Sequence, residues 1–351
     1  MPAAPFALAL LLLAAPPEAV EESSDNPFGA VPTTPTTISG TDIAASARIG
    51  DRPLFVWHSA GPPKKQYLPL PKPFMFPLYT PSGVNVLDYA SADHPHHKGV
   101  WVSVDEVELH LPGEDGAEGE LLGPFKHWVE AGRIETQEVN LDPKRGTIRS
   151  VNHWLTPDGT PVLKEETTIN AQGLTAMSRA DDSSGYVMRN EGTLIEYDIT
   201  LSPPPGGGTV TIGDTKEGFV GVRMAPALDV KRGDGVITNS EGGVGEKECW
   251  GKVAAWCDCS APATEGAPGG GVALFDHPDN FRKARYHARG YGLMAISPFG
   301  PKAYTNGEEE AAPVEIKDPL RLRYAVYVHD GDAKAGDVAG AYQRYVGTPG
   351  K

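Results

Sequence analysis

The sequence predicts an all-β fold, an antiparallel β-sandwich with few short helices, and three observations carry that expectation. Nine short runs rich in β-branched and aromatic residues recur between turn signals. The 41 glycines and 33 prolines exceed ordinary usage without a repeating period, which suits many strands joined by turns. Apolar residues at helical spacing are scarce.

In chain order, the first element is the apolar run Phe6 to Ala15 within "MPAAPFALALLLLAAPPEAVEESSD". It has the length of a signal-peptide core and is too short to span a bilayer. Residues 1–19 therefore read as a signal peptide cleaved near Ala19, and the protein as secreted or periplasmic. No Lys or Arg precedes the run, so a retained N-terminal anchor is the alternative. Residues 20–42, with "VPTTPTTISGTD", read as a flexible Pro/Thr-rich linker. A single sandwich domain over 43–351 follows, with order expected from Ile43.

The strand candidates are "RPLFVWH", "GVWVSVDEVELHL", "GTIRSVNHWL", "VLKEETTIN", "GTLIEYDITL", "GTVTIG", "GFVGVRM", "GGVALFD" and "RLRYAVYVH". Their length and spacing argue for antiparallel pairing. "SPPPGGGTV" and "SAPATEGAPGGG" read as loops between strands. The clearest helix is "AGDVAGAYQRYV", with Val338, Ala339, Tyr342 and Tyr345 on one face.

A formal charge of −15 sets the chain against phosphate backbones, so nucleic acid is excluded as a partner. After the leader no run approaches about 18 apolar residues, which argues against a membrane-spanning body. The three cysteines, Cys249, Cys257 and Cys259, lack zinc-ribbon spacing and read as structural thiols or one disulfide. HExxH, P-loop and Rossmann patterns are missing, as is GxSxG in a strand-turn-helix setting.

Chemistry is concentrated in "DHPHHKGVW". Pro95 biases His94 toward an extended conformation, which puts His94 and His96 on one side and turns His97 away. Asp93 is placed to orient a ring, Gly99 permits a tight turn, and imidazoles are the usual proton carriers at neutral pH. The same nitrogens suit zinc, copper or iron once another ligand arrives; His277 or His287 is the candidate. In "KARYHARGYG", alternation puts Arg285, His287, Arg289 and Tyr291 on one strand face, suited to hydroxyl-rich or carboxylate ligands. In "GDTKEGFVGVRM", Glu217 is the preferred carboxylate for base work, and Arg223 lies about 20 Å further along an extended strand. "LFDHPDN" reads mainly as a self-capping turn around His277.

Residues 77–108 and the stretches "GDTKEGFVGVRMA", "WGKVAAWCDCS" and "GVALFDHPDNFRKARYHARGYGLMAISPFG" resemble the PmoA-like family of bacterial proteins, over roughly Ile43 to Tyr345. The resemblance implies a secreted sandwich similar to aldose-mutarotase-like and polysaccharide-lyase-like supersandwiches. It carries over Asp93, His94, His96, His97, Glu217, Arg223, His277, His287, Arg289 and Tyr291 as motif positions. Lys98 stands where the family usually has Arg, and the family's label suggests a metal-dependent oxygenase.

The expected function is carbohydrate chemistry by general acid/base catalysis, as an isomerase, lyase or hydrolase. His94, His96, His97, Glu217 and His287 are the catalytic candidates. Asp93, Trp101, Arg223, Arg285, Arg289 and Tyr291 are the substrate-binding candidates. No cofactor is expected; the alternative is a divalent metal on His94, His96, His277 and His287. A second alternative is non-catalytic glycan binding on a platform of Trp101, Tyr291 and the Arg row.

Overall fold

A computed structural model describes residues 34–61, 70–113, 119–179, 186–266 and 268–347. The expected signal peptide and the first part of the expected linker lie outside them. The described chain is an all-β sandwich of three antiparallel sheets. The eight-stranded sheet runs, side by side, Arg285–Arg289, Leu293–Ser297, Gly218–Arg223, Val100–Val104, Phe74–Leu78, Arg52–His58, Ala44–Ile49 and Thr37–Gly40. The nine-stranded sheet runs Val236–Asn239, Trp256–Ala261, Gly270–Asp276, Leu320–His329, Tyr186–Ser202, Pro161–Arg179, Thr147–Leu155 and Arg133–Asp142, and Thr34–Pro35 pairs with Pro161–Arg179. Val314–Ile316, Thr209–Ile212, Val107–Leu111 and Glu120–Phe125 form the small third sheet.

Alternation explains how the sheets face each other. Val100, Val102 and Val104 point inward with Val220, Val222, Met294 and Ile296, and meet Ile195, Ile199, Tyr324 and Val326 of the large sheet in one apolar cluster. Val107, Leu109, Val210 and Ile316 bring the small sheet into the same cluster. The opposite face of the eight-stranded sheet carries a smaller aromatic group of Phe74, Trp101 and Trp128 with Leu293 and Ala295. That outer group underlies the site.

The expectation of a loose linker up to residue 42 needs correction. Thr37–Gly40 pairs with Ala44–Ile49, Thr34 and Pro35 pair with Gly173 and Gln172, and Thr36 and Ile38 are buried. Thr–x–Ile alternation drives one side chain in two into the core, and an edge position tolerates a proline. The C-terminal helix forms over Val338–Gly347, but its buried face is Val338, Ala341 and Tyr345; Ala339 is exposed. The three cysteines are all buried free thiols within the main core. No helix among the described residues is long and apolar enough to cross a membrane.

Candidate active site

Strand register gathers the site. Trp101 stands opposite Gly221, Gly221 opposite Ala295, and Ala295 opposite His287, so four strands contribute one row on the outer face. The next row sets Arg223 opposite Leu293 and Leu293 opposite Arg289. Cross-strand neighbours share a face, so Arg223, His287 and Arg289 are delivered to one side although the sequence separates them. Gly221 is required there, because a Cβ would lie 2.6 Å from the Trp101 ring and 2.8 Å from Trp128.

The histidine segment lies over this floor as a turn. His97 N–H donates to His94 O at 3.0 Å and Ala90 N–H to His97 O at 2.8 Å. This corrects the expectation that His97 faces away: an i to i+3 turn, not an extended strand, brings residues 94 and 97 together. Their rings stack at 4.7 Å with planes 5° apart, and His96 meets His97 edge-on at 4.5 Å. Gly99 closes the segment with φ of 60°, where a Cβ would collide with Met75 O at 2.1 Å.

A column of rings results. Tyr291 stacks on His94 at 4.7 Å, His94 on His97, and His97 on Trp101 at 5.3 Å, with Trp128 behind at 4.8 Å from Trp101. Tyr291 is not part of the strand Arg285–Arg289; it sits in the following turn, where Gly292 N–H donates to Arg289 O. Trp101 is fully buried beneath His97, which removes it from the expected ligand platform.

Arg223 locks the turn to the sheet. One guanidinium nitrogen lies 2.9 Å from both carboxylate oxygens of Asp93, the other 3.4 Å from His97 Nδ1, and the cation sits 5.4 Å from the Tyr291 ring centroid. Asp93 Oδ2 is in turn 3.0 Å from His94 Nδ1. Partial desolvation pushes the Asp93 carboxyl up, but hydrogen bonds from His94, Arg223 and Ser91 outweigh it and hold the group well below the usual carboxylate range.

Burial, then the neighbouring Lys72, His94 and Lys98, holds His96 down to about 4. Burial, then His96, His94 and Arg223, holds His97 down to about 2. Both rings are therefore neutral near pH 7. Glu217 is half-buried and its carboxyl is pushed up by desolvation, against the pull of Lys216, Arg289 and His94. Its backbone carbonyl accepts from Asp105 N–H at 3.0 Å, and burial raises Asp105 to about 6.

Other expected residues are placed differently. His287 is buried with Nδ1 3.1 Å from Lys216 O, and Nε2 receives Arg289 Nε–H at 3.2 Å, so both ring nitrogens are occupied. Arg289 also donates to Glu246 at 2.9 Å. Arg285 is taken up by Gly251 O and Glu309. His277 belongs to the end of the strand Gly270–Asp276, its ring 5.2 Å from Tyr345, in a turn that Asp276 caps through Ala284 N–H and Asn280.

The four histidines offered for a metal are thus not assembled. Among the described residues no group of three or more His, Cys, Asp or Glu side chains could hold an ion.

Sequence reasoning missed the supports under the turn. Lys72 is fully buried, donating to Trp128 O at 2.9 Å and lying 3.3 Å from Glu130, with its ammonium 5.2 Å from the Trp101 ring. Lys98 donates to Pro95 O at 2.5 Å and lies 3.9 Å from the same Glu130. Ser91, Asp93, Asp229, Lys231, Arg232 and Tyr291 line a cleft of about 320 Å³ at the mouth.

The fold and this site define a β-sandwich protein with an Asp–His pair anchored by a buried arginine. The chain belongs to the family of unknown function DUF6807, whose profile matches residues 44–343. No curated protein matches the sequence. Among solved structures, a β-arabinopyranosidase superposes with a TM-score of 0.30 and 10% identity, over 84% of this chain and 38% of its own. The GH36 α-galactosidase AgaA of Geobacillus stearothermophilus gives 0.30 and 10%, over 86% and 41%. The chain spans about two fifths of the length of either.

Proposed function

We propose that this is an exported carbohydrate-active enzyme that works by proton transfer at the Asp93–His94–Glu217 site. The observation that carries the reading is His94: a part-exposed imidazole clamped by Asp93, stacked between Tyr291 and His97, and within electrostatic reach of Glu217. The His94 imidazole accepts a proton from a sugar hydroxyl or an acidified C–H, and the Asp93 carboxylate 3.0 Å from Nδ1 balances the charge that results. Glu217, pushed up by desolvation, retains a proton to higher pH than an ordinary glutamate and returns it to the departing or newly formed centre. This puts Glu217 on the acid side, where the sequence alone prefers it for base work, because desolvation pushes its carboxyl up. His96, His97 and His287 then serve as positioning residues.

The cleft mouth supports a polar, hydroxyl-rich substrate. Tyr291 offers a ring and a hydroxyl beside Ser91, Lys231 and two carboxylates, a mixture of donors and acceptors that suits a sugar better than an apolar ligand. Screening the purified protein against sugars, keto-sugars and glycosides with product analysis tests the reading. Turnover that disappears in Glu217→Gln and His94→Ala supports it. Glycan binding with no product in any assay, unchanged in both variants, overturns it.

A further inference from the structure

The outer face of the nine-stranded sheet carries a second cavity that the chemistry above does not use. The C-terminal helix covers part of that face, over Phe275, Ala325 and Tyr327. Beside it the sheet is left open as a groove of about 670 Å³. Strand register lays polar side chains across the groove in rows. Arg149, Thr168, Asp198 and Arg323 stand opposite one another over four strands, and Thr147, Asn170 and Glu196 form the next row. Tyr345 borders the groove from the helix, its side chain buried and its hydroxyl without a hydrogen-bond partner among the described residues.

The charge of this groove runs against that of the chain. Five of its lining side chains are Lys or Arg and two are carboxylates, in a protein of net charge −15. Asp198 is held by Arg321, and Arg323 is paired with Asp279. Lys144 and Arg149 are exposed cations with no acidic partner among the described residues. Unpaired cations above a floor of hydroxyl, amide and carboxylate groups match a ligand that carries both carboxylates and hydroxyls.

We propose that this groove binds an acidic oligosaccharide built of uronic acid residues. Its carboxylates meet Arg149 and Lys144, and its hydroxyls meet the rows around Thr168, Asn170 and Glu196. Nucleic acid fits poorly, because two unpaired cations are too few to match a dense line of phosphates in a chain of net charge −15. The inference uses no residue of the Asp93–His94 cleft and stands whether or not that cleft is catalytic.

Calorimetric titration of the whole protein with a short oligogalacturonate, with its fully methyl-esterified form as control, tests the proposal. The acid form should bind, more weakly as salt is raised, and the ester should not. The Lys144→Ala/Arg149→Ala double variant changes only exposed side chains and should keep its far-UV circular dichroism while losing at least tenfold in affinity. Glu217→Gln should bind as the parent does. The proposal falls if neither form binds, if the ester binds equally, or if single-stranded DNA of similar charge binds as tightly. It also falls if affinity drops in Glu217→Gln and not in the double variant, which would place the ligand in the other cleft.

Discussion

Arg223 and Asp93, 130 positions apart in the chain, meet through one guanidinium nitrogen that lies 2.9 Å from each carboxylate oxygen. The arginine side chain is 0% exposed and the aspartate 44%, so the cation is the desolvated partner. Asp93→Ala leaves that cation buried and unpaired, at a cost of about 3 kcal/mol. Urea unfolding at neutral pH measures it, and Asp93→Asn should recover part of the loss. An unchanged midpoint would mean that Arg223 does not depend on Asp93.

Gly221 tests the aromatic floor. Gly221→Ala pushes a methyl group into the faces of Trp101 and Trp128, both enclosed, in the middle of the sheet. Overpacking of this kind costs about 1–3 kcal/mol. The same unfolding assay should show it, with a change in tryptophan fluorescence.

His287 gives a pH signature. Burial, then the nearby Arg289 cation, lowers it to about 4 from 6.5. The unfolded chain therefore takes up the proton first, so this histidine's contribution to stability is complete above pH 6.5 and is lost as pH falls toward 4. By linkage the full loss is about 3 kcal/mol. Asp105, raised to about 6, works in the opposite sense, yet it is common to parent and variant. The parent's stability advantage over His287→Gln should shrink by about 2–3 kcal/mol between pH 7 and pH 4. Parallel pH curves would show that the native ring titrates normally.

Glu217→Gln separates chemistry from structure. The side chain is half-buried and its carboxylate has no hydrogen bond or ion pair among the described residues, so the amide should fold with an unchanged unfolding midpoint. Loss of a general acid lowers kcat by about 10²–10⁴-fold. Turnover that survives at more than a tenth of the parent rate would remove Glu217 from the proton-transfer step.

What was legible in the sequence was local. "RPLFVWH" is the strand Arg52–His58, and the runs near Val100, Gly218 and Leu320 are strands where alternation and β-branched residues mark them. The histidine segment announced itself by density, and Arg289 by parity with His287; Tyr291 shares that parity but reaches the site from the turn after the strand. The conformation of that segment was not legible, since a turn and an extended run share the same residues until Gly99 and the backbone of Met75 are in contact. Nor were the supports: Lys72, Trp128 and Glu130 meet the turn only after the sheet closes, and no spacing encodes a contact that register across four strands creates. The strands at Thr34–Pro35 and Thr37–Gly40 were hidden by Pro35 and by their threonines, serine and glycine, which carry little apolar signal.

The three thiols of the core turn the sandwich into its own clock. Cys249, Cys257 and Cys259 are enclosed; burial pushes Cys257 and Cys259 well above the ordinary thiol range, and Cys249, which a hydrogen bond with Cys257 pulls down, is shut away from solvent, so a labelling reagent reaches little thiolate while the sheets stay closed. Modification then proceeds through opening events. Its rate under native conditions reads how often the sandwich comes apart, and its order across the three positions reads which strand lets go first.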